Sequence, residues 1–151
     1  RLSAIGQSTR LELIQNEGRG LLLTGAQDWT DYHFSATVSV HMAAEAGIAI
    51  RAGGMKRFYA LLLCPDHKIR LLKCRDSDTV LGETNFSWEP DAPYRLSLTA
   101  KGDYLTAKID ETSLFTLQDT DLPHGAIALV NTVGRSAFSE VHIEGINLLS
   151  T

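Results

Sequence analysis

Residues 46–74 read AGIAIRAGGMKRFYALLLCPDHKIRLLKC. Three short apolar runs, AGIAIR, RFYALLLC and IRLLKC, are separated by two turn-forming stretches, Ala52-Gly53-Gly54-Met55-Lys56 and Pro65-Asp66-His67-Lys68. Gly53 and Gly54 are free to take positive φ, and Pro followed by Asp suits a tight reversal. The runs are too short for typical helices and are rich in Leu and Ile, so the segment predicts three antiparallel strands joined by hairpins. Two of the runs are apolar on both alternations, so both faces of this ribbon are covered at least in part. One cover is the core. The other is expected to be a concave surface on which a ligand or a partner sits.

Working outward, residues 31–41 show the clearest alternation in the chain. Tyr32, Phe34, Ala36, Val38 and Val40 take one face, and His33, Ser35, Thr37, Ser39 and His41 take the other, the pattern of a half-buried antiparallel strand. Residues 94–100 and 103–109 repeat it around a Lys101-Gly102 turn, with Tyr94, Leu96, Leu98, Leu105, Ala107 and Ile109 inward. Further strands are expected at 11–16 (closed by Glu17-Gly18), 20–24, 79–86, 113–117, 126–131 and 136–146, and a helical turn or loop at 43–46. Eleven or twelve short strands at intervals of about ten residues, with no amphipathic helical period, predict an all-β fold: a two-sheet antiparallel β-sandwich or jelly roll. No repeat or linker divides the chain, so residues 1–10 are read as an N-terminal extension and 11–151 as one domain.

The 151 residues suffice for one domain with a real core. A formal net charge of −4, with Arg and Lys scattered in ones and twos, argues against a nucleic-acid binder. No apolar run approaches the roughly 20 residues of a membrane helix. The chain starts at Arg1 with no signal-like segment, as expected of a piece cut from a larger protein. The two cysteines, Cys64 and Cys74, make no disulfide framework. With a four-residue loop at 65–68, Cys64 faces Ile69 and Cys74 faces Tyr59, and the thiols lie roughly 16 Å apart. Two free, mostly buried thiols are expected, which slightly favours a reducing, cytoplasmic setting.

The order of four pieces carries a resemblance: DWTDYHFSATVSV, then AGIAIR with RFYALLL, then YRLSLTAKGDYLTAKIDETSLFTLQD, then HGAIALVNTVGRSAFSEVHI. Together, from Leu11 onward, they resemble the concanavalin A-like, laminin-G-like jelly roll found as an accessory domain in bacterial glycan-active proteins, among them ADP-ribosylglycohydrolase-like proteins and glycoside hydrolases. The resemblance implies that fold, a carbohydrate or sugar-like ligand, and a catalytic domain of the parent protein as a partner. The same sandwich hosts lectins, glycosidases and packing domains, so it specifies function poorly.

Catalytic chemistry finds little support in the residues. Glu140, His142 and Glu144 alternate on the closing strand, but the two carboxylates would be about 13 Å apart, beyond the roughly 5–9.5 Å of glycosidase pairs. His33 and His41, about 26 Å apart along one strand, cannot share a metal. The Gly53-Gly54 pair precedes a strand and not a helix, so it is a hairpin turn and not a phosphate loop. Asn16-Glu17-Gly18 and Asp119 with Asp121 are candidate oxygen donors for a structural calcium; no other cofactor is indicated.

The candidate ligand site follows from the four-residue loop register. That register puts Tyr59, Leu61 and Leu63 with Arg70, Leu72 and Cys74 on one face, and leaves Phe58, Ala60, Leu62, Ile69 and Leu71 to the core. With Ile48 and Ile50 inward, Gly47, Ala49 and Arg51 point the other way. Small residues at 47 and 49 then form a trough ringed by Arg51, Tyr59 and Arg70, with Trp88 covering one end. An aromatic ring beside guanidinium donors suits a polar ring or an anionic group. The competing arrangement covers these residues with protein and pairs the arginines with Glu45 or Glu83. A one-residue change of loop register would swap the faces of the last strand.

Overall fold

The computed structural model describes residues 10–149, so the N-terminal extension expected over 1–10 lies, apart from Arg10, outside them. Among the described residues nine antiparallel strands follow in order: β1 (Leu11–Thr24), β2 (Tyr32–Gly54), β3 (Arg57–Cys64), β4 (Lys68–Arg75), β5 (Ser77–Asn85), β6 (Tyr94–Lys101), β7 (Tyr104–Ile109), β8 (Thr112–Gln118) and β9 (Ala126–Glu144). The fold is the all-β, two-sheet sandwich that the alternation predicts.

The expected strand count was higher because three pairs of expected strands are single long strands. β1, β2 and β9 run 14, 23 and 19 residues. Each crosses from one sheet to the other through a register shift: between Gln15 and Arg19 in β1, and between Val40 and Met42 in β2 where it pairs with β9. The helical turn or loop expected at 43–46 is instead strand, part of the bend of β2. Bulges of this kind bend a strand without ending it. At the matching bend of β9, Gly134 has φ 128°, and a Cβ there would lie 1.7 Å from the Met42 carbonyl oxygen, so the close backbone approach admits only glycine.

The first sheet has the order β5-β4-β3-β2-β9-β1, using the C-terminal halves of β1 and β2 and the N-terminal half of β9. The second has the order β8-β7-β6-β2-β9-β1, using the opposite halves. Their inner faces meet in one core, in which Ile48, Ile50, Leu61, Leu63 and Ile69 of the first sheet pack with Phe34, Val38, Leu98, Leu105 and Phe138 of the second. Every residue expected in the core from alternation is buried except Tyr94 and Ile143, which are partly buried against it.

The hairpin at Pro65 departs from expectation. Cys64 pairs with Lys68, leaving a three-residue loop in which Asp66 and His67 take φ 65° and 55°. Tyr59 therefore pairs with Lys73, and Phe58 with Cys74. The inward set is Tyr59, Leu61, Leu63, Ile69 and Leu71; the outward set is Phe58, Ala60, Leu62, Cys64, Leu72 and Cys74. The one-residue shift thus exchanges the two faces of β3 relative to the sequence reading.

Candidate functional site

Of the four residues expected to bind ligand, Arg70 alone reaches the outer face of the first sheet. Tyr59 is fully buried in the core. Its hydroxyl donates to Asp119 and accepts the Leu122 N–H at 3.1 Å, so it ties down the segment after β8. Arg51 is 2% exposed. The alternation that would turn it outward fails because a register shift lies between Ile50 and Gly54, and Arg51 takes φ 48°. Its N–H donates to the Tyr32 hydroxyl at 2.6 Å, and its guanidinium donates to the Thr30 and Leu122 carbonyls and to Asp31. These partners hold a backbone conformation that would otherwise be strained. Arg51 is an internal strut. Trp88 packs on the core, and its indole N–H donates to the Cys64 carbonyl at 2.8 Å, so it plugs the end of the β3–β4 hairpin from the inner side.

The outer face of the first sheet is nevertheless the distinctive surface. Its floor is a second apolar cluster: Ala49, Phe58, Ala60, Leu62, Cys64, Leu72, Cys74, Ala128 and Val130, all buried. Across it lies a side chain that sequence reasoning missed. Arg19, at the register shift of β1, sets its guanidinium 5.5 Å from the centre of the Phe58 ring. It donates to Glu45 at 2.8 Å and, through both terminal nitrogens, to Asp78 at 2.9 and 3.0 Å. β1 and β5 are the two edges of this sheet, separated by four strands. In a flat sheet they would stand about 24 Å apart, whereas an Arg–Asp pair spans no more than roughly 12 Å between Cα atoms. The Arg19–Asp78 bond therefore requires the sheet to curl toward this face and form a hollow.

The electrostatics follow from that enclosure. Burial alone would lower the pKa of Arg19, but its hydrogen bonds to Asp78 and Glu45 outweigh it and raise the net value. The bond from Arg19 holds Asp78 below the usual carboxylate range. Burial, with Glu45 nearby, pushes the Cys64 thiol up to about 11, and burial also raises Cys74. Both thiols are free and buried, as expected, although both lie on the outer face and not in the arrangement expected. Beyond Arg19, β4 and β5 carry a second ion pair, Arg70 with Glu83, and Val80, which is 51% exposed and paired with Leu72.

Of the candidate calcium donors, Asp119, Asp121 and the Glu17 carbonyl are otherwise engaged. Lys73 bridges Asp119 at 2.9 Å and Asp121 at 2.6 Å. The Glu17 carbonyl accepts from the Gln15 carboxamide at 2.8 Å. Among the described residues no group of three or more His, Cys, Asp or Glu is placed to hold a metal.

No family model matches this chain, and no curated protein matches it. Solved structures do. The carbohydrate-binding module CBM66 from Bacillus subtilis superposes with a TM-score of 0.80 at 17% identity, covering 91% of each chain. The fold is the concanavalin A-like jelly roll. The same jelly roll is shared by a Bacillus subtilis protein of unknown function with a galectin-like fold (TM-score 0.70, 12% identity, 93% of this chain and 83% of that one). The galectin LEC-6 of Caenorhabditis elegans also has it (TM-score 0.61, 9% identity, 89% and 96%). Residues Arg19 and Glu45, which define the hollow of this jelly roll, carry only faint sequence signals: an arginine between two glycines in an expected turn, and an acid in an expected loop.

Proposed function

We propose that this jelly roll is a non-catalytic, carbohydrate-binding-module-like domain that holds a sugar or sugar-like polar ligand at the mouth of the hollow, over Arg70, Glu83, Asp78 and Val80. One observation carries the reading: planar guanidinium–carboxylate pairs stand over an apolar floor inside a curled sheet. Each carboxylate keeps lone pairs for vicinal hydroxyls while a guanidinium fixes its orientation, and Val80 offers an apolar patch to the C–H face of a ring. The fold neighbours support this, since they include a carbohydrate-binding module and a lectin. Against catalysis, Glu140 sits at a bulge of β9 with φ 50° and Glu144 lies 3.3 Å from His142. The test is a glycan array followed by titration of a responding glycan into Arg70→Ala and Glu83→Gln variants. Affinity is expected to fall about tenfold or more in each; unchanged affinity in both moves the site elsewhere.

A second reading has its own observation. Edge strand β1 exposes Leu11, Ile14, Leu22 and Leu23, a surface suited to packing on a catalytic domain of a parent glycoside hydrolase or ADP-ribosylglycohydrolase-like protein. A silent glycan array, with the domain bound to its parent's catalytic domain, would favour it.

A further inference from the structure

A separate cleft of about 430 Å³ opens at one end of the second sheet, lined by Asp31, His33, Thr99, Lys101, Glu144 and Asn147 among others. Its size falls within the roughly 300–1,000 Å³ of small-molecule sites. Strand register builds it. His33 pairs with Thr99 on one side and Glu144 on the other, so three polar side chains form one cross-strand row.

The polar groups are held in place but not used up. His33 Nδ1 bonds the Thr99 hydroxyl at 2.7 Å, and Nε2 makes no hydrogen bond to any described residue. One Asp31 oxygen accepts from the Gly102 N–H at 3.0 Å and from the buried Arg51 guanidinium at 3.3 Å, which leaves the other for a ligand. The backbone of Asn147 is clamped: its N–H donates to the Asp31 carbonyl at 2.9 Å, and its own carbonyl accepts from the Thr30 N–H at 2.8 Å. Among the described residues, the Asn147 carboxamide and the Lys101 ammonium make no hydrogen bond.

The lining decides the ligand chemistry. Two carboxylates face one ammonium, and burial lowers the His33 pKa so that the ring is neutral at pH 7. The Arg51 guanidinium bonded to Asp31 offsets one of the carboxylates, so a phosphate or sulfate would meet no net positive charge. Asn147, Thr99 and His33 offer donors and acceptors side by side, which matches hydroxyl groups that both give and take hydrogen bonds. We infer that this cleft is a second ligand site, for a neutral polyhydroxylated molecule such as a single sugar ring. It shares no residue with the hollow and does not depend on the hollow's role.

The experiment is two-dimensional NMR of the labelled domain with glucose, galactose, mannose, fructose and inositol, each at millimolar concentration, and with inorganic phosphate. At least one of the neutral probes is expected to shift the His33 ring and the Gly102 and Gly145 amides. Lys101→Ala and Asn147→Ala change exposed side chains without a described partner, so both variants should fold; each is expected to raise Kd about tenfold. Arg70→Ala should leave these shifts unchanged, which separates the cleft from the hollow. No shift with any neutral probe, shifts only with phosphate, or shifts that persist undiminished in both cleft variants would overturn the inference.

Discussion

The two sheets turn very different outer faces to their surroundings. That of the first carries Phe58, Leu62, Leu72 and Val130, all buried, beneath the Arg19–Asp78 bond. That of the second carries Ser35, Thr37, Ser97 and Thr99 along β2 and β6, with Arg95 donating to the Ser35 and Thr37 hydroxyls at 2.8 and 3.1 Å. Both sheets share the same three long strands, so the difference comes from what lies on either side of each bend. Before its bend β2 reads as strict alternation. After it, small and apolar residues occupy both faces, and the sheet curls over the outer one. A curled sheet with a sealed apolar lining is a rigid support for a few exposed polar groups at its mouth, whereas the polar face of the second sheet keeps Ser35 and Ser97 buried, with Arg95 bonded across Ser35 and Thr37.

The sharpest way to break this contrast is to remove the bend. Gly134→Ala places a methyl group against the Met42 carbonyl at a φ that disfavours side chains, and should cost more than about 4 kcal/mol in urea unfolding; an unchanged midpoint would show that β9 can cross between sheets without this close approach. Next in size is the difference between the faces themselves. Phe58→Ala should cost about 3 kcal/mol, while Thr99→Ala on the other face should cost about 1 kcal/mol. Equal losses in thermal denaturation would mean that the outer cluster of the first sheet is not a second core. A smaller loss, about 1–2 kcal/mol, is expected for Tyr59→Phe, which removes the hydroxyl bonded to Asp119 and Leu122 without touching the hollow. Altered glycan affinity in that variant would return Tyr59 to the ligand site.

The smallest effects are those of pH, and they differ between the faces. In the hollow, Asp78 has a folded pKa below its unfolded value. Its contribution is present above about pH 3.9 and is lost as pH falls through the folded pKa. On the second face, His33 also has a lowered pKa, for the opposite reason: burial disfavours its charged form. Its contribution is complete above about pH 6.5 and declines as pH drops through the folded value. Stability measured against pH should therefore decline in two separate ranges. Asp78→Asn should flatten only the acidic one and His33→Gln only the milder one; a single transition abolished by either variant would contradict the separation.

Strict alternation made much of the molecule legible in the sequence. The faces of residues 32–40, 94–100 and 104–109 follow from a period of two alone, because a strand with one wet and one dry face leaves a unique pattern. The all-β class, the buried thiols and nearly all of the core follow from the same local rule. Register and curvature do not. The faces of β3 relative to β4 hang on whether Lys68 belongs to the loop, and that is decided by Asp66 and His67 both taking positive φ, a conformation their residue types permit but do not demand. Arg51 stays inward because of a bulge held by Tyr32 and Thr30, which are distant in sequence. The ion pair of Arg19 with Asp78, 59 residues apart, exists because the sheet curls until its two edges come within reach. Alternation is a property of neighbouring residues, so one chain segment carries it whole. Bulges, loop register and curl are set by hydrogen bonds and ion pairs between segments that meet only once the sandwich has closed.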